Sequence, residues 1–216
     1  MGGRPKRDAF VGMLPPKLAL MMVNMAAPSK KASDKNPIIL DPFCGTGVIL
    51  QEALLREFDV YGSDLSQKMI DYTEANLQWL KKTHHHISSK IIGLEAVDAT
   101  QAQWKDPTEI SAVVCETYLG QPFSATPSPA KLQEVRGNCN AIISNFLKNI
   151  GNQIAPGTNF AIAVPAWRDL NSGRITRLPL VHHLSDMGYV QKNTQPLLYY
   201  REDQVVARDI LLFSKK

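Results

Sequence analysis

The segment Leu40–Leu50, LDPFCGTGVIL, decides how the rest of the chain is read. A short apolar run, Pro37–Leu40, enters it, a second apolar run compatible with a helix, Val48–Leu55, leaves it, and Gly45 and Gly47 lie between. That order predicts strand, tight turn and helix, which together aim backbone N–H groups and the helix's partial positive charge at an anionic ligand group. A bare G-x-G can also serve only the backbone, since glycine reaches positive φ at little cost.

Two ligand classes fit such a turn. The dinucleotide fingerprint G-x-G-x-x-G uses its third glycine to bring helix and strand close together, and Leu50 stands at that position, which weakens the pyrophosphate reading. S-adenosylmethionine offers a carboxylate and an ammonium instead, and an acidic residue immediately before the glycines is useful to it. Asp41 occupies that place.

The 216 residues, 44% hydrophobic and 20% charged, are enough for one well-buried α/β domain. A net charge of +4 permits an anionic partner without demanding one. Cys44, Cys115 and Cys139 are odd in number and lack C-x-x-C spacing, which predicts reduced thiols rather than a disulfide framework. No apolar run approaches the roughly 20 residues that span a bilayer, and no signal-peptide core precedes the first charges, so a cytoplasmic protein without a membrane segment is expected. Lys6 stands where a myristoylation signal wants Ser or Thr.

The periodicity predicts a first helix opened by Pro15 and Pro16, with Leu18, Met21, Met22 and Met25 as its core stripe and Pro28 ending it. Strands are expected at 37–40, 59–64, 91–98, 110–117 and 159–167, with helices over 48–55, 67–83, 131–154 and from Arg177 to a stop at Gly188. Two β-rich runs, 195–202 and 204–214, are joined closely enough for a hairpin. Strands alternating with helices imply a mostly parallel sheet with helices on both faces, here seven-stranded with a C-terminal antiparallel hairpin. Residues 1–36 are taken as a helical segment packing on the ligand site and 37–216 as a single globular unit. His84–His86 lie between a helix end and a strand with no acidic or cysteine partner at ligand spacing, so no metal site is expected there.

Open α/β sheets bind ligands beyond the carboxyl ends of their strands. Each expected strand end carries a polar group: Asp41 with Gly45 and Gly47, then Asp64, Asp98 and Glu116. Asp64 follows the turn at close to the roughly 20-residue distance at which an acid meets ribose hydroxyls, a spacing that S-adenosylmethionine and NAD share. Asp98, before Ala99, fits an adenine amino group or a simple turn cap.

These residues resemble the class I, Rossmann-like S-adenosylmethionine-dependent methyltransferases. More narrowly they are similar to the methyltransferase domain of tRNA guanine-N2 methyltransferases acting at position ten and their RNA- and DNA-methylase relatives. The likeness rests on MLPPKLALMMVNMA, DPFCGTGVIL, GSDLS, VDAT and YYREDQVVARDILLF, and it covers nearly the whole chain. It implies that Asp41, Pro42, Phe43, Cys44, Gly45, Thr46 and Gly47 cradle the methionine moiety. Asp64 and Leu65 would take the ribose, Asp98 and Ala99 the adenine, with Met13 and Leu14 closing over the cofactor. S-adenosylhomocysteine is the implied product, and tRNA the implied partner. Members of the tRNA branch carry an extra RNA-binding region, so a separate module or an activating partner is an expected complement. A rim of Lys6, Arg7, Lys30, Lys31, Arg168, Arg174 and Arg177 is a candidate for phosphates.

The chain departs from the family at the fourth strand. Amine methylators there carry Asp or Asn, two prolines and an aromatic, whereas this chain reads CETYLGQP. Aligning the acid makes Glu116 its equivalent; aligning the aromatic selects Tyr118 and puts Cys115 in the acid's place. Glu116 is taken as the acceptor of amine hydrogens and Tyr118 as a stacking surface for a splayed base. A DNA or small-molecule acceptor, or a catalytically silent cofactor-binding module, are the alternatives.

Overall fold

A computed structural model of the chain describes residues 3–7, 14–28 and 35–216. Four parallel-paired elements follow the glycine turn's logic: β1 (Ile38–Asp41), β2 (Asp59–Asp64), β3 (Ile91–Ala96) and β4 (Ile110–Glu116), joined by β5 (Asn159–Arg168). The helices are α1 (Pro16–Ala26), α2 (Val48–Leu55), α3 (Gln67–Thr83) and α4 (Pro129–Gly151). The C-terminal part supplies β6 (Ile175–Thr176), β7 (Tyr189–Gln191), β8 (Leu197–Tyr199) and β9 (Val206–Lys215). Strand order is β3-β2-β1-β4-β5-β9-β7, with β9 antiparallel to β5. The order reverses between β1 and β4, so their carboxyl ends flank a crevice, the ligand position of a Rossmann-like sheet.

Side chains alternate between two cores. Leu40, Val113, Cys115, Ile162, Leu211 and Phe213 face α4, whose Val135, Cys139, Ile143, Phe146, Leu147 and Ile150 form a buried helical stripe. Ile39, Val60, Ala112, Val114, Ala161 and Ala163 face α1, α2 and α3. Each fully buried aliphatic side chain contributes about 1.5–3 kcal/mol.

Nine strands form among the described residues, not seven. β6 is a two-residue pairing with the end of β5. β7 and β8 are one edge strand in two pieces, pairing successive parts of β9. Pro196 in the gap has no N–H for the ladder. The Asn193 side chain takes over there, its Oδ1 accepting from the Leu212 N–H at 2.9 Å. β8 and β9 do form the expected antiparallel hairpin.

Two helical expectations are corrected. Residues 177–188 form no regular helix but a 3-10 turn, Pro179–His182, followed by further turns to Gly188 at φ 83°, after which β7 begins. Leu178, Leu180, Val181 and Leu184 are nevertheless buried, so the apolar spacing is met without a regular helix. In α1, Leu18 and Met22 are core, but Met21 and Met25 are 50% and 43% exposed, and Ala19, Val23 and Ala26 are buried in their place. The two methionines line a groove of about 1040 Å³ between α1, Glu52 and β8.

Candidate active site

The glycine turn is shaped by backbone demands and fastened from α3. Gly45 and Gly47 have φ of 52° and 77°. Thr73 Oγ1 donates to Gly45 O at 2.7 Å and Asn76 Nδ2 donates to Thr46 O at 2.9 Å. A Cβ on Gly47 would come within 2.9 Å of Thr73, so that glycine also permits the close approach of α3. Asn76 further pairs with the backbone of Lys6, accepting from its N–H and donating to its carbonyl, each at 3.0 Å. Lys6 is thereby seated beside the turn.

The missing third glycine has a counterpart elsewhere. Leu50 packs against β2 at Gly62, where an added Cβ would lie 2.5 Å from Leu50 Cδ1. In a dinucleotide site the helix glycine makes room for the strand; in this chain the strand glycine makes room for the helix leucine.

Asp41 ends β1, almost fully buried, its Oδ1 accepting from the Phe43 N–H at 3.1 Å. Burial pushes its carboxyl well above the ordinary carboxylate range, with the charges of Asp64 and Glu116 adding to the shift. Asp64 ends β2 and ties both neighbouring turns: Oδ2 accepts from the Gly45 N–H and Oδ1 from the Ser66 N–H, each at 2.9 Å. A carboxylate has about four acceptor positions, so about two remain for a ligand. Leu65 beside it is 77% exposed, an apolar surface next to a half-exposed acid.

Asp98 is exposed and caps its own turn, Oδ1 accepting from the Thr100 N–H and hydroxyl at 2.8 Å. Ala99 is buried, and Asn149 of α4 donates to the carbonyls of Ala99 and Ala102 at 3.0 and 2.9 Å. The loop is therefore held at a fixed height over the sheet. Pro42 and Thr46 are buried, and half-buried Phe43 meets Phe146 edge-on at 5.1 Å. Leu14 is buried in the core shared by α1 and α2. Met13, Lys30 and Lys31 lie outside the described residues.

At the end of β4 the two alignments separate physically. Cys115 is fully buried facing α4, and burial pushes its thiol well up. Burial raises the Cys44 thiol in the same way. Glu116 ends the strand and Tyr118, 43% exposed, follows it. Burial raises the Glu116 carboxyl, partly offset by the charge and hydrogen bond of Arg208, whose Nε donates to Oε1. Arg208 was not singled out by its sequence position. Its signal was the adjacent Arg208 and Asp209 inside the apolar run VVARDILLF, since charges in a buried strand require partners. Asp209, fully buried on the other face, is met by Arg177 at 2.6 Å.

The proposed phosphate rim divides. Arg168 and Arg174 sit at the β5–β6 turn, and Arg168 lies over the exposed Tyr200 ring at 4.9 Å while donating to Glu202 O. Arg177 is instead engaged with Asp209, and Lys6 stands by the glycine turn. Among the described residues no three potential metal ligands converge, and no helix is long and apolar enough to cross a membrane.

Comparison with known proteins places this arrangement. A family model described as "RMKL-like, methyltransferase domain" matches residues 4–138, more than half of the chain. A tRNA (guanine(10)-N2)-dimethyltransferase of Methanothermobacter thermautotrophicus is 32% identical over 171 residues, covering 78% of this chain and 44% of that protein. The chain thus spans less than half the length of that relative. Among solved structures, TrmN from Thermus thermophilus matches with a TM-score of 0.59 at 17% identity, over 94% of this chain and 49% of its own. Magnesium protoporphyrin IX methyltransferase of Synechocystis PCC 6803 with bound SAM matches at 0.55 and 15%, over 93% and 77%. At those identities the structures speak to fold alone, and the fold is that of the class I methyltransferases. With its family model matched across the glycine turn and all four strand ends, this chain belongs to the RMKL-like methyltransferase-domain family.

Proposed function

We propose that the chain transfers a methyl group from S-adenosylmethionine to the N2 amine of a guanine in tRNA. The observation that carries this reading is Glu116: a largely buried acid at the carboxyl end of β4, electrostatically coupled to Asp41 of the glycine turn and held by Arg208. The tRNA guanine-N2 relative supports the choice of acceptor.

The residues present fit the cofactor. The turn Asp41–Gly47 would hold the methionine end, Asp64 the ribose hydroxyls with its spare acceptor positions, and exposed Leu65 a face of the adenosyl group. Asp98 and Ala99 would meet the adenine edge, with Leu14 closing the site. When bound, S-adenosylmethionine supplies an electrophilic methyl carried on a sulfonium.

The chain's own part is to prepare the amine. A guanine N2 lone pair is conjugated into the ring, so an acceptor must draw the N–H bonds out of plane and hold the nitrogen in line. Glu116 Oε2 performs that task, and takes the proton that the amine loses as its nitrogen gains the methyl. Burial suits it, because a carboxyl of raised pKa is a stronger base than an exposed one. Tyr118 offers a stacking face for the base, and Arg168, Arg174 and Lys6 offer positive charge to the backbone.

The test is methyl transfer from labelled S-adenosylmethionine into separate tRNA and DNA pools at one stated salt concentration, with nucleoside mass analysis. N2-methylated guanosine from tRNA is expected. Label confined to DNA, or to another base, contradicts the acceptor assignment.

A further inference from the structure

Glu116 and Arg208 meet across an intervening strand. Glu116 pairs with Ala163 of β5 and Arg208 with Pro165, so β5 places no long side chain between them on that face. Only 9% of the Arg208 side chain and 15% of the Glu116 side chain are exposed. The Arg208 guanidinium lies 5.9 Å from the Tyr199 ring, which limits the planes it can adopt.

The pair leaves polar atoms over. Nε of Arg208 is used by Oε1 of Glu116. Among the described residues the second carboxylate oxygen and the two terminal guanidinium nitrogens are neither hydrogen-bonded nor fully buried. An acceptor and charged donors therefore stand side by side at the ligand end of the sheet, in a largely desolvated setting where an unmet donor is costly.

That pairing has a chemical complement. In a nucleobase the exocyclic amine lies next to a ring nitrogen with a lone pair, which for the guanine N2 amine is N3. A carboxylate that accepts from the amine and a guanidinium that donates to the neighbouring ring nitrogen read the two positions together. Building on the proposed guanine-N2 activity, we propose that Arg208 contacts the acceptor base itself, donating from a terminal nitrogen to guanine N3 while Glu116 accepts from N2. Donation to N3 also makes the N2 proton easier to lose to Glu116, so one ion pair both orients the edge and assists the transfer. The alternative is that Arg208 only neutralises and orients Glu116 and never touches substrate.

The two roles separate in a double substitution, one in the protein and one in the RNA. A tRNA whose methylated guanosine has been located is prepared with guanosine or 3-deazaguanosine at that position; the latter keeps the N2 amine and replaces N3 by C–H. Wild type should be slower on the deaza RNA by about 10- to 100-fold in kcat/KM, the loss expected when a charged donor faces no acceptor. Arg208→Lys keeps the positive charge beside Glu116, and should be slower on both RNAs with the ratio between them reduced to within about 3-fold. Arg208→Met, checked for folding by circular dichroism, should show the same collapse of the ratio. An unchanged ratio in a folded variant overturns substrate contact and leaves Arg208 a positioning residue for Glu116. No N2 methylation by wild type on any guanosine tells against the guanine-N2 activity instead.

Discussion

In the proposed reaction Glu116 acts as a base while buried beside a guanidinium, and its pH behaviour follows from that setting. Turnover should rise with pH as Glu116 ionises, with a midpoint above the ordinary glutamate value, because burial shifts it upward more than Arg208 pulls it back. In Glu116→Gln that acidic limb should vanish and the rate fall by about 100-fold or more, while cofactor binding by calorimetry is kept. A Glu116→Gln enzyme that retains the limb assigns it to another group. Asp41, Asp64 and Glu116 were legible in the sequence because each ends a strand, and strand ends follow from local pattern; Asp98 was expected at the end of β3 and lies two residues beyond it, since the strand stops at Ala96. Arg208 was not, because its partner is 92 residues away in the chain and only the sheet order brings them together.

The elements carry two further tests. Gly62→Ala pushes a methyl to within 2.5 Å of Leu50 Cδ1, between β2 and α2 where the glycine turn is anchored. Destabilisation of about 1–3 kcal/mol in urea unfolding is expected, together with weaker cofactor binding. Gly137 in α4 is the reverse case, since a Cβ there meets nothing within 4 Å. Gly137→Ala should stabilise by about 0.5–1 kcal/mol, read as a raised unfolding midpoint. Helix α3 could be read from its hydrophobic period because it is long enough to show one, whereas β1 and α2 were legible as continuous apolar runs on either side of the glycine turn. The split of β7 from β8 could not, since it depends on the Asn193 side chain replacing a backbone ladder that Pro196 interrupts. The stretch after Arg177 has helical spacing, yet its apolar residues find the core through turns, and spacing alone does not separate the two.

For the molecule as a whole, buried acids make stability depend on pH. Glu52, at the edge of the groove beside α1, has a carboxyl raised by burial to about 7. Its folded value exceeds its unfolded value, so its contribution is fully present below the ordinary glutamate range and is lost as pH rises toward about 7. The decline in urea midpoint between pH 5 and 7 should therefore be shallower in Glu52→Gln, and an equal slope places the titration elsewhere. The chain combines a sheet whose order reverses at β1 and β4, a glycine turn tied by Asp64, and a paired acid at the end of β4. The most direct test of their joint purpose is a single-turnover assay of methyl transfer from labelled S-adenosylmethionine to total tRNA, with wild type beside Glu116→Gln and cofactor binding measured on both. N2-methylguanosine formed by wild type and nearly absent from a variant that still binds cofactor is the predicted result. Equal product from both proteins would contradict the role of Glu116, and saturable cofactor binding without any methylated guanosine would contradict the activity itself.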